Sequence, residues 1–282
     1  MLRKRKINPE NTKRSFCLFI EYFYIFVSVI QNQQIMNISS NTPVGEVVKL
    51  NFKTAPLFQA NNIDYCCGGS KTISQACAEA GIDSEQLIRQ LQQTAVLSDP
   101  DTEYINNLTP AGLCDYIIGT HHSYVRSHIP FLQKNIEKVC RAHGANHPEF
   151  FEVQQLFEES AGDLTMHMQK EELMLFPYIQ KMVKVQEGQS TGGKPAFGTV
   201  SNPIAVMVAE HQTEGDRFEK IAALTKNYAI PEDACTTYEV TLHQLKEFEN
   251  DLHRHIHLEN NILFPKAIEL EAELARKYFP VR

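Results

Sequence analysis

The chain has 282 residues, 43% of them hydrophobic and 22% charged, an ordinary globular composition that excludes a disordered or collagen-like chain. At about 150 residues per domain, the length allows one large domain or two. Lys+Arg 27 against Asp+Glu 34 leaves a formal charge of −7, which removes the electrostatic basis for a broad nucleic-acid surface or for adhesion to an anionic membrane.

Residues 1–35 differ from the rest. Six basic residues (Arg3, Lys4, Arg5, Lys6, Lys13, Arg14) precede an aromatic, apolar run from Phe16 to Ile30 that Glu21 interrupts. The run is shorter than the roughly 20 apolar residues of a membrane span, and no small-residue cleavage site follows it. It is read as an upstream extension with the native start at Met36, ahead of a poor signal or anchor and of an extra helix. No stable membrane association is expected.

From 37 to 98 short helical patterns (PVGEVVKL, TAPLFQAN, SQACAEAG, SEQLIRQLQQ) surround the loop NNIDYCCGGS, which describes a small helical unit. The polar stretch SDPDTEYINNLTP reads as a linker. From 108 to 278 four long apolar-periodic segments follow, expected as helices over about 110–142, 148–185, 203–227 and 231–277. They open at Pro110, Pro148, Pro203 and Pro231, where a first helical turn tolerates proline, and Thr109 and Asn202 are good N-caps. A glycine-rich loop, EGQSTGGKPAFGTVSN, divides the second from the third. No strand pattern competes. The expected fold is all-α, an antiparallel four-helix bundle preceded by a small helical N-terminal domain.

The second and fourth helices carry the same phrase, HMQKEELMLFP at 167–177 and HIHLENNILFP at 255–265, both H-x-x-x-E-x-x-x-L-F-P. The offset is 88 residues, and the other two helices match it with a histidine at 121 or 122 and His211, 89 residues after His122. A histidine and a glutamate at i and i+4 project from one helix face, so His167 with Glu171 and His255 with Glu259 can reach one point in a bundle core. Four imidazoles and two carboxylates suit two nearby iron ions, the carboxylates able to bridge them; a structural zinc site needs only four ligands and usually thiolates. Adjacent helical residues point about 100° apart, so one of His121 and His122 is expected to face the core, and periodicity leaves the choice open. His253 and His257 lack a glutamate four residues on and read as supporting or exposed residues. His128, His143, His147 and His243 read as solvated or capping. The two L-F-P segments read as core packing with a proline kink.

Seven cysteines without a regular framework read as free thiols. Cys66 and Cys67 stand apart, a vicinal pair in a glycine loop. Such a pair closes a disulfide on itself only with strain, which points to metal or sulfur handling or exchange with a partner thiol. The alternative is a pair of small buried hydrophobes, the reading also given to Cys77, Cys114, Cys140 and Cys235.

Together, the D-Y-C-C-G-G loop and the two H-x-x-x-E phrases resemble the di-iron iron–sulfur cluster repair proteins, the repair-of-iron-centres family, over nearly all of residues 37–275. The resemblance implies a hemerythrin-like bundle whose ligands fall on His122, His167, Glu171, His211, His255 and Glu259. It thereby selects His122 over His121. It implies two iron ions per chain in an oxo- and carboxylate-bridged centre, with the family's cysteine pair on Cys66 and Cys67. It further implies a cytoplasmic homodimer that restores iron–sulfur proteins damaged by nitric oxide or oxidants, the cysteines contacting the damaged cluster or taking iron in transit. The same ligand set would serve a nitric oxide reductase or an oxygen or redox sensor of hemerythrin type. The family has no counterpart of residues 1–35.

Overall fold

The computed structural model describes residues 38–191, 193 and 195–278; the proposed extension at 1–35 lies outside them. Among the described residues the chain is all-α, with one isolated bridge pairing Pro43 with Thr72. The N-terminal unit comprises α1 (Val44–Leu50), α2 (Ala55–Gln59), α3 (Ile73–Ala80) and α4 (Ser84–Ala95). Local chemistry sets its corners. Thr72 and Gln75 form a reciprocal capping box at the start of α3, and Gly81 ends that helix at φ 69°, a backbone region open to glycine.

The stretch read as a linker contains a helix, α5 (Pro100–Asn106). Pro100 sits where its missing N–H costs nothing, and Ile105 is buried, so packing orders a segment whose polarity suggests a loop. Lys266 Nζ donates to the carbonyls of Asn106 (3.2 Å) and Leu108 (3.1 Å), and Asn106 Nδ2 to that of Lys49 (2.7 Å), fastening the C-terminal end of this connection.

The bundle has four long helical segments. The first is α6 (Pro110–Ile117), a π-turn (Ile118–His122) and α7 (Ser123–His143). The second is α8 (Glu149–Lys170), a π-turn (Glu171–Leu175) and α9 (Phe176–Gln186). The third is α10 (Ser201–Leu224); the fourth is α11 (Thr236–Leu258), a π-turn (Glu259–Leu263) and α12 (Phe264–Tyr278). Thr109 caps α6 as expected, accepting from Gly112 N (3.1 Å). Asn202 is not a cap: it lies inside α10, and its Nδ2 donates to the Phe197 carbonyl (2.7 Å). The fourth segment starts at Thr236 rather than 231. Lys226, Asn227 and Tyr228 all have positive φ, a left-handed reversal that precedes Pro231 and removes it from the helix.

Buried apolar side chains form two clusters. One runs from Val125 along α7, α8 and α11 and takes in the N-terminal unit through Phe58, Tyr65 and Ile73; the other gathers Leu113, Ile117, Phe176, Met207 and Leu263. In every bundle segment the change from one cluster to the other falls at a ligand candidate of the sequence. A polar layer therefore crosses the core.

Candidate metal centre

That layer contains His122, His167, Glu171, His211, His255 and Glu259, none more than 4% exposed. Their donor atoms fall into two groups whose members all lie within 4.8 Å of one another: His122, Glu171, His255 and Glu259, and His167, Glu171, His211 and Glu259. Both carboxylates belong to both groups. His122 Nε2 lies 3.3 Å from Glu171 Oε2 and His167 Nε2 3.4 Å from the same oxygen; Glu259 is 2.9 Å from His255 and 3.0 Å from His211. Both oxygens of Glu171 and His122 Nε2 are buried without a hydrogen-bond partner. Two neighbouring carboxylates with no exposure are expensive unless a cation compensates them, so these orphaned atoms fit a metal site.

The titration tendencies agree. Burial, then the neighbouring Glu259, pushes the Glu171 carboxyl well above its ordinary range. Burial opposes ionisation of Glu259 too, but His255 and His211 hold it well below the ordinary value. Burial, then the charge of His255, lowers His122 to about 4, and burial lowers His167. Neutral imidazoles offer lone pairs to a cation at physiological pH.

The outer nitrogens are partnered differently. His122 Nδ1 meets Glu172 Oε1 (2.6 Å), which also binds Arg126 (2.5 Å). His167 Nδ1 meets Glu210 Oε2 (2.8 Å), and Lys170 closes on the same carboxylate. His211 Nδ1 meets Asn260 Oδ1 (2.9 Å), whereas His255 Nδ1 is buried without a partner. Acceptors of this kind fix the ring and raise its basicity as a ligand. Sequence reasoning missed all three, although each is the chain neighbour of a ligand candidate: Glu172 follows Glu171, Glu210 precedes His211 and Asn260 follows Glu259. One residue turns the side chain about 100°, away from its own metal face and onto a ligand candidate of an adjacent helix.

The expected proline kinks are π-turns, and they lie at the glutamates. Phe176 N–H bonds to the Glu171 carbonyl and Phe264 N–H to that of Glu259, five residues back in each case. Pro177 and Pro265 each follow the turn as the second residue of the next helix, where a missing N–H is tolerated. Leu175 and Phe176 are fully buried as expected, with Phe176 stacked on His122 (ring centroids 5.8 Å apart) and Phe264 on His211 (6.0 Å).

A third π-turn, Ile118–His122, ends on the histidine pair, and both rings are buried, contrary to the expectation that one alone would face inward. His121 belongs to neither group. Its Nδ1 bonds Asp251 (2.9 Å), and its ring lies parallel to His255, 5.5 Å away.

The cysteine loop packs against the same bundle. Asp64 organises it: Oδ1 accepts from the N–H of Cys66 (2.8 Å) and Cys67 (3.0 Å), Oδ2 from that of Gly68 (2.7 Å). Asn261 Nδ2 donates to the Cys66 carbonyl (3.1 Å), and a Cβ on Gly69 would stand 2.6 Å from Asn261 Oδ1 and 2.8 Å from the backbone carbonyl oxygen of Tyr65, which cannot give way, so this approach requires glycine. His253 and His257 face the loop rather than solvent, their rings 6.2 and 5.8 Å from that of Tyr65. Cys66 is buried; its neighbour Cys67, then burial and Asp64, push the thiol up, so it stays protonated. Cys67 is half-buried, its Sγ 3.9 Å from that of Cys66, on the wall of a cleft of about 510 Å³. Asp64, Cys66 and Cys67 are a third cluster with metal-ligating geometry. Of the other cysteines, Cys77, Cys114 and Cys140 are buried as expected; Cys235 is exposed, just before α11. A separate cavity of about 260 Å³ reaches His167, His211 and His255 between α8, α10 and α11.

The family model for the hemerythrin HHE cation binding domain matches residues 115–267, and one described as a domain of unknown function (DUF542) matches residues 40–95. The chain is 36% identical over 220 residues to an iron–sulfur cluster repair protein YtfE of Yersinia pseudotuberculosis serotype IB (strain PB1/+), covering 76% of this chain and 91% of the relative. The protein of the same name from Yersinia pestis (strain Pestoides F) is 35% identical over 224 residues, covering 78% and 93%. With both domain models matched and more than nine-tenths of these relatives' length covered, the chain belongs to the family of iron–sulfur cluster repair proteins built on a hemerythrin HHE cation binding domain.

Proposed function

We propose that this protein holds two iron ions, one in each four-residue group, and supplies iron to iron–sulfur proteins whose clusters nitric oxide or oxidants have damaged. The observation that carries the reading is the sharing of Glu171 and Glu259 between two groups that each add two histidines. The protein's part is to bury all four histidines and aim them inward, with acceptors on the outer nitrogens of His122, His167 and His211, while burial keeps His122 and His167 neutral. Iron bound there would be an exchangeable ion held by nitrogen and oxygen, which a thiolate acceptor binds more firmly. Cys66 and Cys67, at the edge of the cleft, contact the damaged cluster or take iron in transit, and Cys67 is the more accessible. A cytoplasmic homodimer is part of the proposal and rests on the family resemblance. No helix among the described residues is long and apolar enough to cross a membrane.

A second reading, reduction of nitric oxide at the same centre, draws support from the cavity that reaches His167 and His255. Nitrous oxide formed over many turnovers with a supplied reductant would favour it.

Metal analysis and Mössbauer spectra of the anaerobically purified chain test the main reading. Two irons per chain are expected, lost in the double variant Glu171→Ala, Glu259→Ala; zinc, a single metal or an unchanged content would overturn it. The variant Cys66→Ser, Cys67→Ser is expected to keep both irons and fail to reactivate a cluster protein treated with nitric oxide. Full reactivation would remove the cysteines from the mechanism.

A further inference from the structure

One side chain joins the metal layer to the cysteine loop. Asn260, next to Glu259 at the start of a π-turn, accepts at Oδ1 from His211 Nδ1 (2.9 Å), and its Nδ2 donates to the Cys66 carbonyl (3.4 Å). Asn261 grips the same carbonyl but touches none of the six ligand candidates. The other ligand histidines lack such a link. His122 and His167 lean on carboxylates neutralised by Arg126 and Lys170, and the outer nitrogen of His255 has no partner. His211 is therefore the one ligand histidine supported by a neutral group, and that group is held at its far end by the loop.

Resting on the iron-supply reading, we propose that Asn260 is a positioning residue that couples docking of the cysteine loop to the hold on iron at the His167–His211 position. The planar amide carries the coupling. With Nδ2 engaged by Cys66, Oδ1 must face His211, whose Nδ1–H then has its acceptor and whose Nε2 is left for the metal. With the loop lifted, the amide is free to turn over and set its own N–H groups against the Nδ1–H, leaving the ring without an acceptor. Outer partners of this kind typically govern metal affinity by about 10- to 100-fold. The His122–His255 position has no bond to Asn260 and is unaffected. Linkage makes the effect reciprocal: if docking tightens iron, iron tightens docking by the same factor. A loop that leaves to meet a damaged cluster thus loosens one of the two irons.

The test uses the full chain loaded anaerobically with ferrous iron. Release to a ferrous chelator is timed, and amide exchange of residues 63–69 is followed with and without iron. Asn260→Ala should speed release of one iron per chain about tenfold or more and leave the other at the wild-type rate. Asn260→Asp, which still accepts from His211 but cannot donate to Cys66, should restore slow release. Iron should protect residues 63–69 in the wild type and in neither variant. Wild-type release from Asn260→Ala would overturn the inference, as would an Asn260→Asp variant as fast as Asn260→Ala, or loop exchange indifferent to iron in the wild type. A wild type that binds no iron at all would instead bring down the functional reading, and this inference with it.

Discussion

Three buried or half-buried glutamates of this chain show how surroundings assign a carboxylate its task. Glu171 and Glu259 are both fully buried, yet one is pushed up and the other held down, because the histidine charges fall mainly on Glu259. Glu249, on α11 beside Tyr228 and away from the metal layer, is raised by burial from its ordinary 4.5 to about 7. A carboxyl whose folded value is raised contributes stability that is complete below 4.5 and lost as pH climbs through about 7. Glu249→Gln cannot ionise. Relative to the wild type it should gain about 2 kcal/mol between pH 5 and pH 8, the full shift discounted for the side chain's partial exposure. Thermal melts at the two pH values check this; parallel loss of stability in both proteins would remove Glu249 as the cause.

At the scale of the element, the π-turn sets the site apart from an ordinary helix pair. Each of the three turns contains or opens on a ligand candidate, and each inserts one residue into an otherwise regular helix, so the bundle faces on both sides keep their packing while the ligand is re-aimed. Leu173 lies within the Glu171–Leu175 turn and is 80% exposed, so its side chain holds little of the fold. Deleting it closes the turn to α, rotates Glu171 out of its position and sets the Pro177 ring against a regular preceding turn, a cost of about 3 kcal/mol. Circular dichroism should show the helices retained and metal analysis the iron lost; a deletion variant with its full iron content would show that the extra residue does not aim the glutamate. The H-x-x-x-E spacing was legible because it is a property of one helix. The widened turn was not, because the L-F-P signal is equally compatible with a kink at the proline.

Across the whole molecule the metal layer separates two apolar clusters and carries buried charge through the core. Without a cation, Glu171 and Glu259 oppose each other in a dry interior, and binding to the folded state alone stabilises it by about 2.7 kcal/mol at a hundred times the dissociation constant. Removing iron with a chelator should therefore lower the melting temperature. Because the Glu171 carboxyl is pushed up, its ionisation erodes stability as pH rises above the ordinary 4.5. The metal-free Glu171→Gln variant should accordingly melt above the metal-free wild type at pH 8, and below the iron-loaded wild type. Equal melting of the two metal-free proteins would mean that the buried carboxylates are compensated by something other than metal. The N-terminal unit shares the first of the two clusters, so the cysteine loop is seated on the bundle by the same apolar packing that encloses the layer.

By itself the sequence determined the helical class, the small unit ahead of a four-helix bundle, and five of the residues in the polar layer, since apolar periodicity, i,i+4 spacing and the repeat offset are properties written along one chain; His122 was chosen over His121 only by the family resemblance. Only the tertiary structure decided that both carboxylates belong to both groups, that His121 is buried beside His122 yet outside either group, and that Glu172, Glu210 and Asn260 brace histidines on other helices. It also decided that Asn261 and Gly69 bring the cysteine loop to the bundle. Each of these is a contact between segments far apart in the chain, and spacing cannot express which helix a side chain will meet until the cores have packed.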